Sequence, residues 1–272
     1  MIDWCDWWGR GGTQAERPGR LAKLIYGPIE TYFEEAFRAR ADGTTVISQA
    51  LYQRALRLKV RADTIQILPQ GCDVDAQGDG DRAEARQRLG LPLSCPLVLC
   101  IGALTRPEAT LLFDSLRLLF RRRPDCQVIM IGNHRAQIPL DLKRCPQLVE
   151  TGFIPDVTLT DYIVASDALL TPLADTLASQ ARWPSKVNPL LAAGRAVVIT
   201  RVGDLAQLLE HESAAIVVRC EPEAIVDNLI HLLADPALQA SCESQARRVA
   251  QTILAWPLIV AQLEDLYLRL QD

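Results

Sequence analysis

The fold class this sequence predicts is α/β with parallel, doubly wound sheet, and three observations predict it. Short apolar, β-branched runs such as PLVLCIG (96–102), QVIMIG (127–132) and AVVIT (196–200) read as strands buried on both faces. Amphipathic stretches of helical length separate these runs, so strand and helix alternate. The alternation extends over nearly all 272 residues, enough chain for one or two sizeable cores. A composition of 49% hydrophobic and 23% charged residues agrees with an ordinary globular protein.

In chain order, residues 1–12 (MIDWCDWWGRGG) combine three tryptophans, two aspartates and a glycine-bearing run. They predict a loop behind a strand that is barely present, with the aromatics either plugging a core or serving a site. Residues 21–41 predict a long helix, with apolar positions 21, 24, 25, 29, 33 and 37 forming one stripe. Pro28 is expected to kink or split it, and its apolar stripe to lie on a sheet. Strand 44–48, helix 49–58 and strand 64–68 follow, closed by Pro69-Gln70-Gly71. Residues 72–92 form a polar linker. Asp73, Asp75, Gln77, Gly78, Asp79, Asp81 and Glu84 match the spacing of a calcium loop. No helix precedes Asp73, however, and Gly80 stands where an aliphatic residue belongs, so the stretch reads as a solvated acidic linker.

The second α/β unit opens with the strand 96–102. Helix 111–123, strand 127–132, strand 149–154, helix 159–165 and strand 168–172 succeed it. After strand 196–200 come helix 204–211, strand 214–218, helices near 222–233 and 236–253, and a final amphipathic helix, 256–270. The arginines 121–123 fall at a helix C-terminus, where they offset its dipole. The expected organisation is a first domain with linker at 1–92, a second domain at 93–255 and a closing helix at 256–272.

Several function classes drop out. A net charge of −4 gives no electrostatic footprint for nucleic acid. No apolar run reaches the roughly 18 residues of a membrane span, and no signal peptide opens the chain. The eight cysteines show neither a Cys-x-x-Cys pair nor metal-ligand spacing, and Cys100 and Cys126 sit with apolar strand residues. A reduced, cytosolic protein is the expectation. A dinucleotide-binding dehydrogenase would need Gly-x-Gly-x-x-Gly after a first strand, which is absent.

The stretch WPSKVNPLLAAGRAVVIT (183–200) is the most informative. Trp-Pro ends the preceding element, Ser185 offers an N-cap hydroxyl, and 186–193 can form two helical turns. Gly194 suits the left-handed stop before strand 196–200. A helix start beside Lys186 is a ready phosphate site. From the residues alone, an ordinary helix-to-strand joint with a surface lysine stands equally.

Here Pro184, Ser185, Lys186, Ala192, Gly194, Val197 and Val198 match the donor-site signature of group 1 glycosyltransferases, and the order of residues 44–71 is similar to that family's segment before its interdomain linker. The resemblance implies retaining enzymes of GT-B type. It implies a complete C-terminal Rossmann-like parallel-sheet domain plus a truncated N-terminal Rossmann-like domain, the chain being a fragment or starting downstream of the family's usual start. It further implies a nucleoside-diphosphate sugar as donor substrate, with no cofactor or metal. The acceptor would be a glycan, lipid-linked molecule or other compound, with peripheral contact at the inner face of a membrane.

The same resemblance points to Gly102, Thr105, Arg106, Gly132, Asn133, Phe153, Ile154, Ser185 and Lys186 as donor-binding residues, with Phe153 and Ile154 reading the base through their backbone. Where many members hold the transferred sugar with a histidine, this chain offers Asp3 or Asp6 as catalytic candidates. Three departures stand out. Ala103 replaces an arginine that grips the diphosphate, and Ala181 and Pro189 occupy the places of two sugar-anchoring glutamates. Asp175 and Asn188 are the nearby polar groups left to contact the sugar. These departures support an alternative expectation, a non-catalytic relative that binds nucleotide-sugar or a partner subunit.

Overall fold

The computed structural model describes residues 1–16, 19–75, 80–134 and 137–271. Among the described residues, nine strands form two parallel sheets. The smaller holds β1 (Ile2–Trp4), β2 (Thr44–Val46) and β3 (Ile65–Ile67), in that order. The larger holds β4 (Leu97–Ile101), β5 (Gln127–Ile131), β6 (Leu148–Gly152), β7 (Ala168–Thr171), β8 (Ala196–Thr200) and β9 (Ile216–Val218). Its order, β6-β5-β4-β7-β8-β9, reverses direction between β4 and β7. Such a reversal opens a crevice at the carboxyl ends of the two strands, where ligands of doubly wound sheets bind.

The strands fall where apolar runs predict them. Alternate residues serve two cores: Leu97, Leu99, Ile129, Leu169, Val197 and Ile199 face one side. Val98, Cys100, Val128, Met130, Leu170 and Val198 face the other. The first core runs without a break through Trp183, Val187 and Leu190 to Trp4, Val46 and Leu51 of the small sheet. The two sheets therefore share one apolar interior. Hydrogen bonds cross the same boundary: Ser48 Oγ donates to Ala181 O at 2.7 Å, and Gln49 N to Asp204 Oδ2 at 2.6 Å. The closing helix Trp256–Arg269 begins beside the linker, where Cys72 N donates to Leu254 O at 2.8 Å.

Four local expectations are corrected. Pro28 neither splits nor ends its helix, which runs unbroken over Arg20–Glu35. That helix also faces the other way. Its buried side chains among the described residues are Thr31 and Glu34, whereas Leu24 is 74% and Phe33 64% exposed, alongside Leu21, Ile25, Tyr26, Ile29 and Tyr32. The reason is the loop after β1, whose backbone amides need acceptors. Glu34 takes Trp8 N and Gly9 N, both at 2.8 Å, and Thr31 Oγ1 takes Arg10 N at 3.0 Å. Trp4 Nε1 and Arg54 complete the Glu34 carboxylate, at 3.1 and 3.0 Å. The tryptophans at 4 and 7 are core plugs, flanked by the Arg54 guanidinium.

The linker is shorter than expected, because Arg82–Leu89 is helical, capped by Asp81 and stopped by left-handed Gly90. Arg86 ties this helix to Ala165 O and Asp167 of the larger unit. Of the calcium-like spacing, Gln77, Gly78 and Asp79 lie outside the described residues, while Asp81 is spent as the cap. Finally, Ser185 is not a helix N-cap. Ser185–Val187 is a tight 3₁₀ turn, followed by the short helix Asn188–Ala192, and neither has a side-chain cap.

Candidate donor site at the carboxyl edge of the large sheet

Three loops meet beyond the ends of β4, β5 and β6. Backbone hydrogen bonds fasten them side by side: Gly102 N to Ile131 O at 2.9 Å, and Gly132 N to Gly152 O at 3.0 Å. His134, fully buried, donates from Nε2 to Gly102 O and so secures the first loop from below, leaving Nδ1 without a partner. Gly102 has φ +85°, and a β-carbon there would stand 3.1 Å from Lys186 Cδ and 3.7 Å from its Nζ. The glycine is what lets Lys186 lie across the end of β4.

Lys186 is half-buried, and its ammonium forms no hydrogen bond or ion pair with a described residue. Burial lowers its pKa, the Glu108 carboxylate opposes that shift, and the Arg182 guanidinium adds to it. Glu108 is itself buried in the first turn of the helix Arg106–Arg122. One of its oxygens accepts from Thr105 N at 2.9 Å and the other pairs with Arg182. Asp6, half-buried on the loop after β1, belongs to the same group. Burial raises its pKa and nearby Arg182 opposes the rise.

The predicted residues are thus distributed over distinct places. Gly102 and Lys186 touch at the switch point. Thr105 and the exposed Arg106 line a cleft of about 1040 Å³, whose other wall is Thr13, Glu16, Gly19 and Lys23. Gly132 lies buried beneath that edge, with Asn133 exposed beside it. Phe153 is 85% exposed, and among the described residues no hydrogen bond engages the backbone of Phe153 or Ile154. Asp175 is exposed after β7 and accepts from Gln180 Nε2 at 2.6 Å.

Two candidates are not where the sequence reading expects them. Asp3 accepts from Thr45 Oγ1 and Cys5 Sγ and lines a groove under the closing helix, away from this edge. Asn188 is a buried strut. It accepts from Trp183 Nε1 at 3.1 Å, and its amide donates to Gln70 O and Gly71 O at 2.7 and 3.0 Å. With both amide protons committed, it anchors the linker rather than reaching a ligand. Ser185, exposed, faces the same linker pocket.

Sequence reasoning missed Arg182 and Glu108. Thr105-x-x-Glu108 does carry the spacing of a capping box, a local signal for the buried acid. Nothing local marks Arg182, whose partner is 74 residues distant.

The profile of the family described as glycosyl transferases group 1 matches residues 95–235, just over half of the chain. The chain belongs to the group 1 glycosyltransferases. Among relatives of this chain, D-inositol 3-phosphate glycosyltransferase of Nocardiopsis dassonvillei is 26% identical over 223 residues, 76% of this chain and 51% of the relative. The chain spans about half the length of the curated relatives it matches. Among solved structures, sucrose-phosphate synthase of Thermosynechococcus elongatus superposes with a TM-score of 0.77 at 20% identity, covering 96% of this chain and 66% of that one. Anabaena HepE in complex with UDP superposes with a TM-score of 0.73 at 18% identity, covering 90% and 69%. These similarities establish GT-B architecture for the two parallel sheets. Among the described residues, no helix is long and apolar enough to cross a membrane.

Proposed function

We propose that this chain serves the transfer of a glycosyl group from a nucleoside-diphosphate sugar to a glycan, lipid-linked or other acceptor, with the diphosphate held at Lys186. The observation that carries this reading is the Lys186 ammonium, half-buried, unpaired and laid against Gly102 at the switch point. A cation withdrawn from water without a partner costs the free protein stability, and an anionic ligand removes that cost. As the sugar–phosphate bond breaks, negative charge grows on the departing diphosphate and positive charge on the anomeric carbon. Cations fixed in advance stabilise the first of these, and where they suffice the step needs no metal.

Other features support the same reading. The free backbone groups of Phe153 and Ile154 suit base recognition without side-chain specificity. Thr105 and Arg106 line a cleft of a size suited to a nucleotide-sugar. The UDP bound to the similar Anabaena protein supports a nucleoside diphosphate as the class of ligand. Of the two acidic candidates, Asp6 is the one within electrostatic reach of Arg182, and we assign it the contact with the transferred sugar.

Calorimetric titration with UDP, GDP and ADP tests the site. The expected result is binding of one nucleotide, weakened at least tenfold, or about 1.4 kcal/mol, by Lys186→Ala. Absence of binding to all three would sink the donor-site reading and leave a non-catalytic, partner-binding role.

The outward apolar face of helix Arg20–Glu35 supports a second element of the proposal, peripheral contact with the inner face of a membrane. A helix held to its protein by polar residues, with leucine, phenylalanine and tyrosine outward, suits the interfacial zone of a bilayer. Phe33→Asp should abolish co-flotation with anionic phospholipid vesicles while altering stability by no more than about 0.5 kcal/mol. Equal flotation of both proteins, or none by the wild type, would remove the membrane contact.

A further inference from the structure

The donor-site reading leaves one chemical gap. A diphosphate carries more charge than one lysine neutralises, and Ala103 stands where the resemblance leads one to expect an arginine. Arg106, the obvious substitute from sequence, is exposed and also lines an outer groove with Phe113, Asp114 and Arg117. It does not join Lys186.

Arg182 does. Its guanidinium pairs with Glu108, the carboxylate that also holds Thr105 at the start of the cleft-lining helix, and it is near enough to act electrostatically on Lys186 and on Asp6. Its position is secured from beneath by Glu108, a carboxylate 1% exposed and anchored through its second oxygen to Thr105 N. Only one nitrogen of the guanidinium is spent on that pair. Nε is buried without a partner, and Nη1 makes no hydrogen bond with a described residue. Lys186 and Arg182 are like charges in a poorly solvated place, and of the two carboxylates near them, Glu108 and Asp6, only Glu108 forms an ion pair among the described residues, so an entering anion relieves the repulsion between the two cations.

We infer that Arg182 is the second cation of the diphosphate site, taking the part that Ala103 cannot, with Glu108 as the positioning residue that aims it beside Lys186. This rests on the donor-site reading and extends it. The donor grip then comes from two consecutive segments, Ala181–Arg182 and Ser185–Lys186, rather than from the loop after β4. An arginine paired from below by a carboxylate keeps its remaining N–H groups directed at a second anion, a geometry a lysine reproduces only as a point charge.

The test is calorimetric titration of wild type, Arg182→Gln and Arg182→Gln/Glu108→Gln with the nucleoside diphosphate the wild type prefers among UDP, GDP and ADP. The matching nucleoside is titrated in parallel. The double variant leaves no buried unpaired carboxylate, so it keeps the measurement interpretable if the single variant unfolds. The expected result is at least tenfold weaker diphosphate binding in the folded variants, unchanged nucleoside binding and partial recovery in Arg182→Lys. Undiminished diphosphate affinity in the double variant overturns the inference, as does an equal loss for the nucleoside. If Lys186→Ala weakens binding and the Arg182 variants do not, this inference falls and the donor site stands. If the wild type binds no nucleoside diphosphate, both fall together.

Discussion

Replacing Gly102 by alanine separates two roles that the glycine combines, backbone conformation and room for Lys186. Gly102 sits at φ +85°, where an L-residue is strained by about 1–2 kcal/mol. Its new β-carbon would also stand 3.1 Å from Lys186 Cδ, closer than ordinary van der Waals contact, so the lysine must move by a few tenths of an ångström. Gly90 supplies the control. It has φ +65° at the end of helix Arg82–Leu89, and a β-carbon there meets nothing within 4 Å. Both variants should therefore lose about 1–2 kcal/mol, a fall in Tm of roughly 2–8 °C for a chain of this size. Only Gly102→Ala should lose ligand affinity, by about tenfold, because about 1.4 kcal/mol is a modest fraction of a close ion pair. Thermal unfolding by circular dichroism gives the first quantity, and titration with the preferred nucleoside diphosphate gives the second. Wild-type affinity in folded Gly102→Ala would refute the claim that this glycine positions Lys186. So would an equal loss of affinity in Gly90→Ala.

Other consequences follow from particular contacts. Glu34→Ala should destabilise by about 2–5 kcal/mol in urea unfolding, since it removes the acceptor of the Trp8 and Gly9 amides and of the Trp4 indole N–H and leaves Arg54 with Glu35 as its remaining carboxylate. Asn188→Ala should cost about 1–3 kcal/mol by leaving the Gln70 and Gly71 carbonyls short of a donor, without changing diphosphate affinity beyond twofold or so. Asp6 governs a pH effect. Burial raises its folded pKa, so its contribution to stability is fully present below the unfolded value of about 4 and is lost as pH rises through the folded value. Asp6→Asn should therefore unfold at a higher temperature than wild type at pH 7, with the difference narrowing toward pH 4. A difference independent of pH would show that burial of the charge is not the cause.

Local chemistry determined a large part of this protein. The strand 196–200 is buried at all five positions, as a continuous β-branched run requires, and the runs 96–102 and 127–132 form strands whose alternate residues serve the two cores. The Pro184-Ser185-Lys186 motif and its apolar sequel, together with the order of residues 44–71, pointed to the family whose profile matches residues 95–235, because such a signature is assembled from neighbouring residues. What a short window cannot contain is a choice of partner. Periodicity declares helix Arg20–Glu35 amphipathic, but only the unsatisfied amides of the loop after β1 turn its polar side inward. The side chain of Asn188 looks available in sequence and is consumed by carbonyls 117 and 118 residues away. Arg182 reads as an unremarkable residue before Trp-Pro. Burial of Glu108 next to it, decided by how helix Arg106–Arg122 packs on the sheet, turns it into an aimed cation. The interactions within a few residues were written in the sequence. Those that set charge against charge across long separations exist only once the sheet has brought its loops to one edge.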